Sequence, residues 1–284
     1  MILVVTFVAG GLALLGGRGP SSSPQTASLR VSSGSYLGFD RNEYPGDGSL
    51  SLLRQTFSFS GYWLNTPPGE SSNTWRGKRQ VLVSNGFGFL VLFNGRLDRE
   101  LKSRAGPSAL GKQDAEVAVE AAKTEKFPTG TIIFLDQEEG GRMLPEQKSY
   151  LYAWVDAVNA SGYQAGVYCS GMAVVEARGL TVITANDLRD NDEGRKIAFF
   201  VYNDSCPPSP GCAFPRSAPS PQRSGVPFAA IWQFAQSPRR REFTARCAAS
   251  YNTDGNCYAP SQNTSGIYVD VDSATTADPS NGGQ

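Results

Sequence analysis

Short apolar runs of five to seven residues recur along this chain and alternate with longer amphipathic segments. This alternation predicts stacked β–α units that build a mostly parallel sheet. Strands are predicted at residues 36–40, 61–65, 88–94, 131–136, 165–170, 197–202, 229–235 and 267–272. The clearest helical patterns lie at residues 50–57, 75–85, 114–126 and 145–160.

Eight strands in this alternation predict an α/β fold, a (β/α)8 TIM-like barrel with reduced helices in the last three units. The segments after residue 202 are rich in proline and serine and lack a helical period. An open doubly wound sheet is the alternative. The barrel is favoured because Asp40, Asp136 and Asp272 end predicted strands, and a barrel gathers those ends on one face.

The predicted barrel domain covers residues 34–274, and the two ends of the chain differ from it. Residues 1–15 are apolar and lead into a Gly/Ser/Pro-rich stretch, so residues 1–28 resemble a signal-peptide leader and linker. The apolar part is shorter than the ~20 residues of a membrane span. We therefore expect a secreted or cell-envelope protein, with membrane contact only through an uncleaved leader. Residues 275–284 are predicted to form a flexible tail.

The composition excludes several classes of function. The chain has no histidine, which removes Ser-His-Asp triads, Cys-His dyads and His-containing metal sites. Lysine plus arginine balance aspartate plus glutamate at 26 each, so no overall field attracts nucleic acid. Residues 239–241 form a short basic run, which we interpret as a solvated loop.

The cysteines fit an oxidising compartment. Cys206 with Cys212, and Cys247 with Cys257, form close pairs in two irregular segments and are predicted disulfides. Cys169 lies inside an apolar strand, where we expect a small buried hydrophobic residue rather than a nucleophile.

The candidate catalytic residues lie at the end of the fourth predicted strand. Side chains two apart in a strand share a face, so Asp136 and Glu138 are expected to project together while Gln137 points away. Neighbouring carboxylates repel each other, so one of them tends to keep its proton. A glycosidase needs such a pair, one group protonating the leaving oxygen and one stabilising positive charge. Glu139 competes for the acid role, but the alternation turns it away from Glu138.

Four segments together carry a family resemblance: residues 36–40 (YLGFD), 134–138 (FLDQE), 165–170 (AGVYCS), and 231–235 (IWQFA) followed by 269–272 (VDVD). Their order and spacing resemble glycoside hydrolase family 25, the Chalaropsis-type lysozymes. The chain is closer still to the "glycoside hydrolase-like" domain family of unknown function 1906.

This resemblance implies that Glu138 is the general acid and Asp136 its catalytic partner. The residues implied to bind substrate are Asp40, Asp270, Tyr168, Trp232, Gln233 and Tyr202. The implied partner is a polysaccharide, with cleavage of the β-1,4 link after N-acetylmuramic acid in peptidoglycan through an oxocarbenium-like transition state. No cofactor or metal is implied.

Departures from the family pattern keep other interpretations open. The second strand reads GYWLN instead of a Lys-Ala-Ser/Thr-Glu motif, and the third ends in FNGR. One alternative is a catalytically inactive glycan-binding or structural barrel. Another is a Ca²⁺ or Mg²⁺ site built from Asp270, Asp272 and Asp136. For Asp40, a helix cap or an ion pair with Arg41 or Arg54 is the structural alternative.

Overall fold

The computed structural model describes residues 34–205, 207–209, 217–236 and 267–283, and its strands form a barrel and a small hairpin. The strands β1 to β10 are Tyr36–Asp40, Phe59–Trp63, Gly88–Asn94, Ile132–Asp136, Gln164–Ser170, Ala173–Val175, Thr181–Ile183, Ala198–Tyr202, Ile231–Ala235 and Asp270–Ala274. The helices α1 to α5 are Leu50–Leu53, Arg79–Ser84, Pro107–Thr124, Pro145–Ala160 and Thr184–Asp190. The leader predicted at residues 1–28 lies outside the described residues.

The barrel closes in the order β1-β10-β9-β8-β5-β4-β3-β2. Each of the eight predicted strands overlaps one barrel strand, which confirms the predicted TIM-like barrel. One strand differs from an all-parallel barrel: β10 runs antiparallel to both β1 and β9. Asp270 is therefore the first residue of the last strand. Because this strand is reversed, its first residue lies opposite Asp40, the last residue of β1.

Helices α3 and α4 pack against each other on the outside of the barrel. Both start with proline at the first turn, where its missing N–H costs no helical hydrogen bond. Gly111 is the point of closest approach, because a Cβ there would lie 2.2 Å from the Tyr150 carbonyl oxygen. Alanine-rich α3 buries one face at a helical period, formed by Leu110, Gly111, Asp114, Ala115, Ala118, Val119 and Ala122.

In the described residues after β5 the helices are shorter, in line with the predicted reduction, and two elements occur that the pattern did not predict. Between β5 and β8 the chain forms the β6–β7 hairpin and the seven-residue helix α5. Between β8 and β9, the helical element in the described residues is the 3-10 turn Pro221–Ser224. No helix among the described residues is long and apolar enough to cross a membrane.

The predicted flexible tail is corrected by the structure, because residues 275–283 close the amino-terminal end of the barrel. The Asp278 carboxylate accepts the N–H of Phe89 at 2.8 Å and that of Gly283 at 2.8 Å. Ser280 is fully buried and accepts the Val91 N–H on its hydroxyl. These contacts supply partners for β3 backbone groups that the barrel itself leaves unpaired, which orders the tail.

We expect Asp278→Ala to lower the free energy of unfolding by about 1–3 kcal/mol, since it leaves buried backbone donors unpaired. Thermal unfolding followed by circular dichroism measures this change. Asp190→Ala, at the exposed end of α5, is the matched control and is expected to leave the midpoint within about 2 °C of wild type. Equal midpoints for the two variants would show that the tail contacts contribute no stability.

Candidate active site

The predicted acids meet at the end of the barrel where the parallel strands finish. Asp40 ends β1, Asp136 ends β4, and Glu138 follows Asp136 in the next loop. Asp270 reaches the same end because β10 runs in the opposite direction. A small cavity of about 50 Å³ is lined by Asp40, Asn42, Trp63, Pro68, Leu92, Asp136, Glu138, Tyr168, Phe200, Gln233 and Asp270. The four carboxyl groups therefore share one cavity.

A chain of hydrogen bonds fixes the acid on β1. The Tyr168 hydroxyl donates to Gln233 Oε1 at 2.7 Å, which orients the amide so that Nε2 donates to Asp40 Oδ2 at 2.8 Å. Gly61 on the neighbouring strand leaves the room that Asp40 occupies, because a Cβ there would lie 2.6 Å from Asp40 Cβ. Asp40 is thus held by β9 and not by the ion pairs with Arg41 or Arg54 that were considered.

Asp272 is a second buried acid beside Asp40. It is fully buried, and neither of its oxygens accepts an N–H or O–H from another described residue. Burial first, and then the charges of Asp40 and Asp270, raise the pKa of Asp272 well above its ordinary range. A neutral Asp272 that donates to Asp40 accounts for both observations. Burial raises the pKa of Asp40 and the hydrogen bonds from Gln233 and Asp272 partly offset this effect, so that the resulting pKa is about 6.

Asp136 and Glu138 differ sharply in their surroundings. Asp136 is 6% exposed, and its Oδ1 has no hydrogen-bond partner among the described residues. Burial, reinforced by the charges of Glu138 and Asp40, raises the pKa of Asp136 well above its usual range. Glu138 is exposed at the mouth of the cavity. Of these two acids, the buried Asp136 is therefore the one whose protonated form the site favours.

The loop that carries Glu138 is anchored by its neighbours. The Tyr202 hydroxyl donates to the Glu138 carbonyl oxygen at 3.4 Å. Glu139 points the other way, where its carboxylate accepts the Asp98 N–H at 2.9 Å and the Gln147 amide. Glu139 therefore has a structural role, and it leaves Glu138 as the glutamate of this segment that lines the cavity.

A larger groove of about 340 Å³ adjoins the acidic cavity, and Pro68, Asp136 and Glu138 line both. Its remaining lining residues are Gly69, Asn94, Gly95, Arg96, Leu97, Arg99, Glu100 and Gln137. Most of them belong to the loop between β3 and α3, whose FNGR start matched nothing in the family pattern. Sequence reasoning missed this groove, because its wall is formed by a loop without strand or helix periodicity.

Two of the predicted substrate-binding residues are placed differently by the structure. Trp232 is 1% exposed, and its indole N–H donates to the Asn203 carbonyl oxygen at 3.0 Å. It lies on the outer face of β9, because strand alternation turns Gln233 into the barrel and Trp232 away from it. Tyr202 stacks near Tyr168 with ring centroids 5.4 Å apart and contacts the loop behind the cavity. Trp63 is the tryptophan that lines the cavity.

The described part of the chain contains one cysteine, Cys169. Cys169 is buried without a disulfide partner, as predicted, and burial raises the pKa of its thiol. No group of three or more Asp, Glu or Cys side chains among the described residues is arranged to hold a metal ion. The predicted disulfides Cys206–Cys212 and Cys247–Cys257 lie outside the described residues.

Comparisons with known proteins agree with the barrel. An uncharacterized B. stearothermophilus protein is 19% identical, with 84% of this chain and 95% of that chain covered and a TM-score of 0.52. The Mycobacterium tuberculosis Tat-secreted protein Rv2525c, solved in complex with L-tartrate, is 14% identical, with coverages of 86% and 96% and a TM-score of 0.51. At these identities the likeness shows the fold alone. No curated protein matches the sequence.

A match to a family model identifies the family of this chain. The model of the family described as "Rv2525c-like, glycoside hydrolase-like domain" matches residues 59–204. That range runs from the start of β2 to just beyond β8, and it includes both Asp136 and Glu138. Because the match spans about half of the chain, this protein belongs to the Rv2525c-like, glycoside hydrolase-like domain family.

Proposed function

We propose that this chain is an exported glycosidase that cleaves cell-wall amino-sugar polysaccharide, with Glu138 as general acid and Asp136 as its partner. One observation carries the proposal: a buried Asp136, whose pKa burial raises, and an exposed Glu138 line the same cavity. Glycosidases use two carboxyl groups whose environments separate their proton affinities. Membership of a glycoside hydrolase-like family supports the same class of reaction.

In the proposed reaction the two acids share one proton. A sugar that enters the groove displaces water from Glu138, which raises the proton affinity of that carboxylate and moves the proton to the exposed side of the pair. Glu138 then protonates the leaving oxygen. The glycosidic C–O bond breaks, and the positive charge that develops on the sugar carbon favours the ionised form of Asp136. Water then adds to that carbon and gives a proton to the Glu138 carboxylate, which restores the proton of the pair. The Tyr168–Gln233–Asp40 chain holds Asp40 as an acceptor for sugar hydroxyl or amide groups.

A glycan-binding barrel without catalysis is the second candidate, and the size of the cavity favours it. The space beside the four carboxyl groups is about 50 Å³, whereas ligand pockets generally span about 300–1,000 Å³. The adjoining groove of about 340 Å³ has room for a sugar ring. In this second interpretation the polysaccharide lies in the groove and does not reach Asp40.

The two candidates differ in whether sugar ends are released. We expect the purified mature chain to release reducing ends from peptidoglycan, and to do so in the presence of a chelator. Chitin oligomers serve as the comparison substrate without muramic acid. Co-sedimentation with the polymer but no release of reducing ends would support the binding module. Release that stops with the chelator would favour a metal-dependent hydrolase.

Export is proposed from the leader-like pattern of residues 1–28. Expression in a host with a secretory pathway, followed by mass spectrometry of the protein in the medium, identifies its first residue. We expect a mature start near residue 28. A chain that stays in the cells with Met1 intact would contradict the export proposal and leave the proposal for the barrel unchanged.

A further inference from the structure

The groove beside the acidic cavity contains two guanidinium groups that the proposed acid chemistry does not use. Arg96 and Arg99 line the groove, whereas neither lines the smaller cavity around Asp40. Both come from the loop between β3 and α3. Asp136 and Glu138 line both spaces. A ligand in the groove that contacts this pair of acids therefore also contacts Arg96 and Arg99, which we call the arginine wall.

Arg96 is held rigidly in place. Its Nε and Nη2 donate to the two oxygens of Asp114 at 2.6 and 2.7 Å, and the Tyr150 hydroxyl donates to the same carboxylate at 2.8 Å. This bidentate pair uses two of the five N–H donors of a guanidinium. The other donors of Arg96 are thereby oriented in advance at the wall of the groove, which lowers the entropic cost of binding an acceptor.

Arg99 is exposed and makes no ion pair with any described residue. It lies in the 3-10 turn Asp98–Glu100, whose backbone is fixed at both ends. Glu139 accepts the Asp98 N–H at 2.9 Å, and the Glu100 carboxylate accepts the Leu97 N–H at 2.8 Å. The loop is thus anchored, while the Arg99 side chain remains available to a ligand in the groove.

Two buried polar groups at the wall of the groove also lack partners. Gln137 is 1% exposed, and neither its Nε2 nor its Oε1 bonds to a described residue. Asp136 Oδ1 is likewise unpartnered. A buried amide or carboxyl without a partner costs free energy, so such groups in a functional groove indicate positions that a ligand satisfies. Gln137, Asp136 and the two arginines together form a polar site with unused donors and acceptors.

We propose that this groove binds a carboxylate carried by the glycan substrate, with Arg96 and Arg99 as its recognition residues and Gln137 as a hydrogen-bonding neighbour. The inference rests on the proposed function and narrows its substrate to acidic glycans, of which muramic acid and uronic acid polymers are examples. Guanidinium groups match the planar geometry of a carboxylate. Glu100 and Glu138 line the same groove, so a singly charged carboxylate fits it better than a doubly charged phosphate.

Calorimetric titration of the full chain with soluble glycan strands freed of their stem peptides, so that the muramic acid carboxylates are free, compared with the same strands after chemical reduction of those carboxyl groups, tests the proposal. We expect wild type to bind the native strands about tenfold more tightly, the effect of one charge-assisted hydrogen bond. Arg99→Ala is expected to lose most of this preference while it binds the reduced strands as wild type does. Arg104→Ala, an exposed arginine of the same loop outside the groove, is the matched control.

The outcomes separate the two proposals. Equal affinity of wild type for native and reduced strands, or equal weakening of both by Arg99→Ala, overturns the carboxylate site and leaves the glycosidase proposal intact. Failure to bind either form overturns the glycan function and the carboxylate site together. Loss of the preference in Arg104→Ala as well would assign it to the general charge of the loop and contradict a specific site. Far-UV circular dichroism confirms that each variant is folded.

Discussion

Glu138→Gln is expected to lower kcat for release of reducing ends by roughly 10² to 10⁴-fold, the usual contribution of a positioned general acid. The amide keeps the size of the side chain but has no acidic proton for the leaving oxygen. KM is expected to stay close to the wild-type value, since the groove and the arginine wall are unchanged. Initial rates over a range of polymer concentrations separate the two constants.

Two further variants make this prediction specific to Glu138. Glu146→Gln changes an exposed glutamate in the first turn of α4 and is expected to keep wild-type activity. Asp136→Asn is expected to lose activity as well, since it removes the charge that stabilises the transition state. A Glu138→Gln variant with wild-type kcat would exclude Glu138 as the acid. Loss of activity in Asp136→Asn alone would then assign the acid role to the buried partner.

Asp272→Asn is expected to stabilise the fold at neutral and alkaline pH. Asp272 is fully buried and forms no ion pair with a described residue, so its ionisation, and that of Asp40 beside it, is unfavourable in the folded state. An asparagine keeps the shape and still donates a hydrogen bond to Asp40. We expect a gain of about 1–3 kcal/mol in the free energy of unfolding at pH 8, the typical cost of an unsatisfied buried polar group. Chemical denaturation at a series of pH values measures it.

The pH dependence of this gain follows from the direction of the pKa shifts. Burial raises the pKa of Asp40 from 3.8 to about 6, so between these values the folded protein binds more protons than the unfolded chain. Rising pH therefore lowers the stability of wild type across this window, and the raised pKa of Asp272 extends the loss to higher pH. Well below pH 3.8 both groups are protonated in both states, and we expect variant and wild type to differ little.

A matched exposed substitution controls for the loss of one negative charge. Asp190→Asn, at the end of α5, is expected to leave stability within about 0.5 kcal/mol of wild type at every pH. If Asp272→Asn instead destabilised the protein more at pH 8 than at pH 5, an ionised Asp272 would have to be stabilising. That result would contradict a shared proton between Asp272 and Asp40.

Both predictions follow from the same group of buried acids, which lowers the stability of the fold and supports the proposed reaction. Asp40, Asp136 and Asp272 are all buried, with no described cation paired to them, and burial raises the pKa of each carboxyl group. The same burial that costs stability raises the pKa of Asp136 beside the exposed Glu138. We therefore expect replacement of a buried acid to raise the free energy of unfolding and to remove a proton that the proposed reaction needs.

The sequence alone determined the features that depend on local pattern. Each barrel strand is an apolar run, so all eight were recognisable, and the alternation of side chains along β4 predicted that Asp136 and Glu138 share a face. The shared cavity with Asp40 followed from the rule that parallel barrel strands end on one side. The glutamate that turns away, Glu139, was identified by the same alternation.

Features that depend on long-range pairing required the tertiary structure. An apolar run does not reveal its direction, so only the pairing of Asp40 with Asp270 shows that the last strand is reversed. Alternation along β9 places Trp232 and Gln233 on opposite faces, but barrel closure decides which of them points inward. The arginine groove and the docked residues 275–283 depend on contacts between loops and distant strands, which carry no period in the sequence. Local periodicity is a property of consecutive residues, whereas burial and proton sharing arise only when distant segments meet.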